Sequence, residues 1–376
     1  MSSSAPACSA ASQDLELIFL GTGTSGSVPN VSCLTAPPEV PPCTTCLSTL
    51  TEKGKKNIRR NTSAIVRIPG SDGSTKTILV DCGKNFQSAA VEWFPPYKLR
   101  RIDALLITHA HADAMNGLDD LRAWTLRGVI QPHIDVYVSR TTFSEVKRAF
   151  PYMIAKEQAS GGGDVPEFRW HIFEDYQPFD VAGVQVVPMP VHHGRYFSDV
   201  PPTGHAPTPN TTTPSTPIRR GSPTSPDKPT VFQPYICHAF SIDGRIVYMG
   251  DVSFIPEETW PHLLASPRSV VVLDCLRPTF HTSHFGLGEA VETARKIKST
   301  RTYLTGFGHE IPHDEYVHVG EILGGATVGQ EGLSDRERKC LDQVEEGEKV
   351  WVRPAHDGLR VWIGEDGKVR DGSYGV

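Results

Sequence analysis

The residues of this 376-residue chain best suited to chemistry gather in Thr108-His109-Ala110-His111-Ala112-Asp113-Ala114. Two histidines one residue apart, with an aspartate two further on, converge on one point only from a tight loop. The apolar run Ala104-Leu105-Leu106-Ile107 before them and Met115-Asn116-Gly117-Leu118-Asp119-Asp120-Leu121-Arg122 after them predict a strand end followed by a helix start, which supplies such a loop. Imidazole nitrogens with one carboxylate are the donors of a catalytic zinc-type site that keeps a position open for water. A lone histidine is ordinarily a satisfied core or surface residue, but the spacing and setting of His109 and His111 argue against that here.

Further candidates close other predicted strands. Val191-His192-His193-Gly194 offers His193, with His192 competing. Tyr248-Met249-Gly250-Asp251 offers Asp251, which could instead cap the following Pro256-Glu257-Glu258 turn. Tyr303-Leu304-Thr305-Gly306-Phe307-Gly308-His309 offers His309. Ligands at strand ends are what one sheet edge needs to unite distant residues. Cys33, Cys43 and Cys46 lie in a Pro-rich loop, the last two at zinc-knuckle spacing. The plainer alternative is three free thiols in a mobile loop. Cys8, Cys82, Cys237, Cys275 and Cys340 read as small buried hydrophobes or inert thiols. Arg122, one turn into the helix after the metal loop, suits either a phosphate or a salt bridge. The basic run Lys53–Arg60 is read as a solvated face, with phosphate binding by Arg59 or Arg60 the lesser alternative.

The elements that must position these residues are legible as runs. Strands are expected at Leu15–Leu20, Ala64–Ile68, Ile78–Val80, Leu105–Thr108, Ile134–Val138, Val184–Val187, Ile236–Ile242, Ile246–Met249, Val270–Leu273, Tyr303–Thr305, Val350–Val352 and Leu359–Trp362. Helices are expected at Leu118–Arg127, Thr142–Phe150, Leu287–Ile297 and Ser334–Val344. This order suits a sheet-on-sheet core with helices outside. One domain is expected over residues 14–365, containing the 33–46 cysteine loop and a disordered Pro/Thr/Ser-rich insertion at 200–230, with tails at 1–13 and 366–376. Ser160–Gly163 reads as a flexible loop. With 38% hydrophobic residues and a net charge of −6, the chain can fill such a core and lacks the basic balance of a sequence-independent nucleic-acid binder. No run approaches a membrane span. The scattered cysteines suit a reducing compartment, so a cytoplasmic location is expected, with the nucleus left open.

Taken together, the motifs resemble the metallo-β-lactamase-fold hydrolases, and more narrowly their phosphoribosyl cyclic phosphate phosphodiesterase branch, from about Leu15 to Trp362. The carrying motifs are Phe19-Leu20-Gly21-Thr22-Gly23-Thr24, Arg60-Asn61-Thr62-Ser63, Leu79-Val80-Asp81-Cys82-Gly83, the His109 motif through Arg122, His193-Gly194, Asp251 and Thr282-Ser283-His284-Phe285. The resemblance implies a four-layer αββα sandwich of two mixed sheets. It implies that His109, His111 and His193 hold a first metal, that Asp251 bridges, and that Asp113 serves a second metal. Asp81 would orient a ligand histidine, and His284 would protonate a leaving oxygen or bind a phosphoryl oxygen, with His281 the alternative and a substrate contact. Cys33, Cys43 and Cys46 with His309 would hold a structural zinc.

The chain departs from the pattern twice. Ala114 stands where a ligand histidine is usual, and Gly306 falls on the other second-metal histidine, unless a shifted register brings in His309 or His313. One catalytic and one structural zinc are therefore expected, with the second catalytic ion, Mn²⁺ or Mg²⁺, weak or absent. The reaction implied is hydrolysis of a small cyclic phosphate ester by metal-activated water, Asp113 orienting the nucleophile. Rival readings are an RNA-processing nuclease of the same fold, thioesterase or glyoxalase chemistry, and a degenerate metal-binding scaffold. The expected partner is a small phosphorylated substrate, without membrane or nucleic acid, and a homodimer is left open.

Overall fold

In β1 (Leu15–Gly21) every residue is buried. Leu15, Leu17 and Phe19 enter one apolar cluster, while Ile18 and Leu20 enter another on the opposite face. A strand covered on both faces has no solvent side to alternate against, which is why it reads as an unbroken apolar run. The computed structural model describes residues 14–70, 73–159, 164–196, 233–327 and 332–374. The expected 1–13 tail with Cys8, the 160–163 loop and the 200–230 insertion lie outside the described residues.

One sheet runs β15 (Val369–Asp371), β14 (Arg360–Ile363), β1, β2 (Ser63–Pro69), β3 (Thr75–Val80), β4 (Ala104–Leu106), β5 (Ile134–Ser139) and β6 (Phe168–Phe173). The other runs β13 (Val352–Pro354), β12 (Arg301–Thr305), β11 (Val270–Asp274), β10 (Ile246–Met249), β9 (Pro234–Ile242), β8 (Val184–Arg195) and β7 (Phe179–Val181). The same two-sided division recurs in the second sheet. Val270 and Val272 face the inter-sheet core with Ile246 and Tyr248, while Val271 and Leu273 face outward with Val247 and Met249. Helices seal both outer faces. Phe86, Ala89 and Ala90 of the helix Phe86–Trp93 cover the first sheet, joined by Met115, Leu118 and Leu121. Leu287, Ala290 and Val291 of Leu287–Ile297, with Tyr316 and Val319 of His313–Leu323, cover the second. The expected four-layer αββα architecture is the one that forms.

Both sheets are mixed. β3 to β6 run parallel in the first, and β10 to β13 run parallel in the second. Chemistry in such sheets collects outside the carboxyl ends of the strands. His109 follows β4, Asp251 follows β10, Asp274 ends β11 and Gly306 follows β12.

Several expectations need correction. Residues 366–376 are not simply a tail, because Val369–Asp371 pairs with β14, and Asp371 is held by Arg301 and by the Tyr303 hydroxyl at 2.7 Å. Strands β6, β7 and β15 were not expected, nor was the helix His313–Leu323. The helix expected over Leu118–Arg127 breaks into a 3-10 turn at Leu118–Leu121, one α-turn at Arg122–Thr125 and a further turn kinked at Arg127. The Trp124 carbonyl accepts from the amides of Ile130 and Gln131, both at 3.1 Å, so it is not available to continue a helix.

A histidine pair, His313 buried and His356 half-buried, joins the last strands to the helix at 313. His313 lies 3.1 Å from the Tyr374 hydroxyl, and His356 lies 2.7 Å from Ser373 Oγ. Burial, then the nearby His356, Arg59 and Lys56, holds His313 well below the usual imidazole range, and burial, against the Asp357 carbonyl, brings His356 down to about 4. Between about pH 6.5 and 4 the unfolded chain takes up protons that the folded chain refuses. Stability is therefore full above that window and is lost as pH falls through it, by roughly 3 kcal/mol for His356. Denaturant unfolding at pH 7 and pH 4.5 should show this loss, and His356→Gln should shrink it.

Candidate metal centre

The metal loop is built on Asp81. This buried aspartate ends β3 and accepts from the Thr108 amide at 2.8 Å and from the Thr108 hydroxyl at 2.9 Å. The same hydroxyl lies 2.8 Å from His109 Nδ1. A hydroxyl that donates to Asp81 can only accept from the ring, so Nδ1 carries the proton and Nε2 is left with its lone pair. His109 Nε2 is buried with no hydrogen-bond partner. Asp81 thus reaches the histidine only through Thr108, a residue with no signal in the sequence. Burial, countered by the Thr108 bonds, pushes Asp81 up to about 8, and this His109 tautomer is the one set by the ionised carboxylate.

His193 reaches the same point from β8. That strand extends well past Val187, and its register with β9 slips between His192 and Arg195. The slip inserts one residue, a bulge that re-aims side chains. Gly194 takes φ 74 there, and a Cβ on it would lie 2.8 Å from Ser283 Cβ. His192 consequently packs on Phe254, at 5.2 Å between rings, and the choice between the two histidines is settled by the bulge. His193 Nδ1 donates to the Ser283 carbonyl at 2.6 Å, which turns Nε2 toward His111 Nδ1, 3.2 Å away.

His109, His111 and His193 each place a ring nitrogen within 4.8 Å of the others. Two nitrogens on one tetrahedral zinc stand roughly 3.3 Å apart, so three mutually facing ring nitrogens, those of His109 and His193 freed of their protons by the partners of Nδ1, fit a cation. Burial, then the neighbouring imidazoles, hold His109 and His193 well below the usual imidazole range. Burial also lowers His111, against the pull of Asp113. Neutral imidazoles are the ligating form. The Tyr235 ring stacks on His111 at 4.5 Å and its hydroxyl accepts from the Ala110 amide, which steadies the loop.

Asp251 and His284 form a second tight group with His193. His284 Nδ1 lies 2.8 Å from Asp274 Oδ2 and 3.5 Å from Asp251 Oδ1. Burial opposes the charged His284 ring, yet Asp274, with Asp251 and Asp113, pushes it up to about 9. Burial raises Asp251 well above the usual carboxylate range, partly countered by His284. Asp274 was not anticipated, although it closes an apolar strand in the same manner as Asp251. Asp113 belongs to neither tight group, but its charge acts on His111, His284 and Asp251, and its Oδ1 is buried without a partner.

The proposed substrate contacts fare less well. Arg122 is engaged by the Asp164 carbonyl at 2.7 Å and by Asp119 at 3.6 Å, which is the salt-bridged alternative. His281 Nδ1 is used within its own turn, 3.3 Å from the Ser283 amide. Arg59 is buried against the carbonyls of Gly308 and Ile311, and Arg60 pairs with Asp357 and Glu92. Neither arginine is free for a phosphate. His313 sits with Tyr374, so it does not fill the second metal position.

The cysteine loop closes on His309. Its Nδ1 lies 3.3 Å from Cys33 Sγ, 3.3 Å from Cys43 Sγ and 3.5 Å from Cys46 Sγ. Sulfur and nitrogen on one tetrahedral zinc stand roughly 3.5 Å apart. These four residues fit a structural zinc, and they tie residues 33–46 to the loop after β12. Burial pushes the Cys46 thiol up to about 12, so metal binding must displace protons there. Cys46→Ser should lose one zinc per chain and, at zinc about 1,000-fold above Kd, forfeit about 4 kcal/mol of linked stability. Thermal melts with and without zinc would check this, since the two variants' curves should then differ only when zinc is present.

A family profile for the β-lactamase superfamily domain matches residues 76–307, more than half of the chain. The chain belongs to the β-lactamase superfamily. Two solved structures share its metallo-β-lactamase fold. A diphosphatase from the PhnP family is 22% identical, with TM-score 0.61, covering 93% of this chain and 97% of its own. The YhfI protein of Bacillus subtilis, a metallo-β-lactamase fold protein, is 15% identical, with TM-score 0.53, covering 96% and 100%. This superfamily member also matches an octanoyltransferase of Porphyromonas gingivalis (strain ATCC BAA-308 / W83), 28% identical over 183 residues. That match takes in 48% of this chain but only 31% of the relative's length. The superfamily's fold is a hydrolytic one, and its members typically bind metal. Among the described residues of this member, no helix is long and apolar enough to cross a membrane.

Proposed function

We propose that this superfamily member is a metal-dependent phosphodiesterase that hydrolyses a small, strained cyclic phosphate ester. The observation that supports it most is the convergence of three imidazole nitrogens, from His109, His111 and His193, on a rim where His284 stands beside them. A zinc ion held by those nitrogens would lower the pKa of water to about 7 and so make a nucleophile available at neutral pH. Asp113, beside His111 and with one oxygen unpartnered, orients the attacking water and accepts its proton. His284 is anchored through Nδ1 on Asp274, which leaves Nε2 to give a proton to the departing alkoxide. Cys33, Cys43, Cys46 and His309 hold a second, structural zinc that shapes the loop beside the rim and takes no part in the reaction.

The PhnP-family likeness supports a phosphoryl substrate, since that relative is described as a diphosphatase. The net charge of −6 and the engagement of Arg59, Arg60 and Arg122 within the chain favour a small substrate over a nucleic acid. The test is phosphorus NMR of zinc-loaded protein with five-membered cyclic ribose phosphates. Opening of the ring, stopped by a chelator and restored by zinc, is the expected result. An intact ring with cleavage of a structured RNA precursor would instead favour the nuclease reading.

A further inference from the structure

The superfamily fold implies a second ion beside the first, and this chain does not fit it. Ala114 is buried at 2% exposure and brings no donor to the place of one expected histidine. At the other, Gly306 has φ 78, and a Cβ there would stand 2.4 Å from Asp274 Oδ1. A side chain at 306 would therefore need both a left-handed backbone and the displacement of a carboxylate. Asp274 is wholly buried at the end of β11, between β10, which leads to Asp251, and β12, which leads to Gly306.

Asp274 is held where it is. Its Oδ2 accepts from the Val252 amide at 3.0 Å and from His284 Nδ1 at 2.8 Å. The His284 ring lies 4.6 Å from that of His193. The Nδ1 proton of His284 thus points into the space between Asp274 and Asp251, with either protonation state of the other ring nitrogen. We propose that the cluster holds one metal ion and that the Asp274–His284 pair stands in the place of the second. An N–H that donates to Asp274 and lies 3.5 Å from Asp251 supplies there the hydrogen-bond donor that stands where an ion would sit. The proposal rests on the metallohydrolase reading for its first ion.

Metal content distinguishes the two. Full-length protein is loaded with zinc, freed of excess, and counted by elemental mass spectrometry, and manganese is then titrated with spin counting by electron paramagnetic resonance. Wild type should hold two zincs, Cys46→Ser one and Cys46→Ser with His111→Ala none, with no further manganese bound in any of them. His284→Ala removes the imidazole and leaves Asp251 and Asp274, which lie 3.5 Å and 2.8 Å from His284 Nδ1, as an oxygen-only pair suited to a hard ion. It should bind one manganese per chain that wild type does not. A third ion in wild type, retained in Cys46→Ser, would overturn the single-ion assignment. Failure of His284→Ala to gain manganese while folded by circular dichroism would overturn the substitution of the ion by the pair. Zinc content unchanged by His111→Ala would overturn the metallohydrolase reading itself.

Discussion

His111→Ala should lower kcat/KM for phosphodiester hydrolysis by more than about 100-fold and remove one zinc per chain. Changing a residue that merely orients a ligand already costs 10–100-fold in metal affinity or activity, so losing one of three ligands costs more. His111 is the right probe because its Nδ1 lies 3.2 Å from His193 Nε2 in the cluster while its ring is only partly buried. His109, by contrast, is 1% exposed beneath Thr108, and its removal would also open a cavity. Activity and metal content should fall together, with the unfolding midpoint of the metal-free protein little changed. Metal lost with activity retained would show that hydrolysis does not depend on this centre.

His284→Ala should lower kcat by about 10²- to 10⁴-fold, the usual span for a positioned acid or base. Asp274→Asn should cost about 10- to 100-fold, because it keeps the shape but weakens the anchor at 2.8 Å from His284 Nδ1. A proton donor matters only where the leaving group needs a proton. Both losses should therefore appear with an alkoxide leaving group and shrink toward none with p-nitrophenolate, as kcat effects with KM little altered. Equal losses on the two leaving groups would remove His284 from the role of acid and leave it a structural one.

The first metal site was legible because its signal is local. His109 and His111 sit one residue apart between an apolar strand and a helix start, and that context needs no tertiary information. Strand-end placement brought in His193, Asp251 and His309, loop spacing brought in Cys43 and Cys46, and the family resemblance joined Cys33, Cys43, Cys46 and His309 into one set. The buried strands were legible for a similar reason: covered on both faces, they carry unbroken apolar runs. The edge strands β6, β7 and β15 were not, since Phe168–Phe173 mixes exposed and half-buried residues and the other two span three residues each. Arg122 misled because an arginine suits phosphate and carboxylate equally, and only the fold shows that Asp119 and the Asp164 carbonyl are within its reach.

The sequence by itself determined the donor types, their place at strand ends and the absence of histidine at 114 and 306. Only the tertiary structure decided how those donors are used. A one-residue bulge chose His193 over His192, a property of strand register that no local spacing encodes. Thr108 relays Asp81 to His109 because the end of β3 and the loop after β4 meet side by side in a parallel pair. Asp274 comes to stand against the bare backbone of Gly306 because β11 and β12 are neighbours, and residues 32 positions apart in the chain share one small volume only once the sheet has formed.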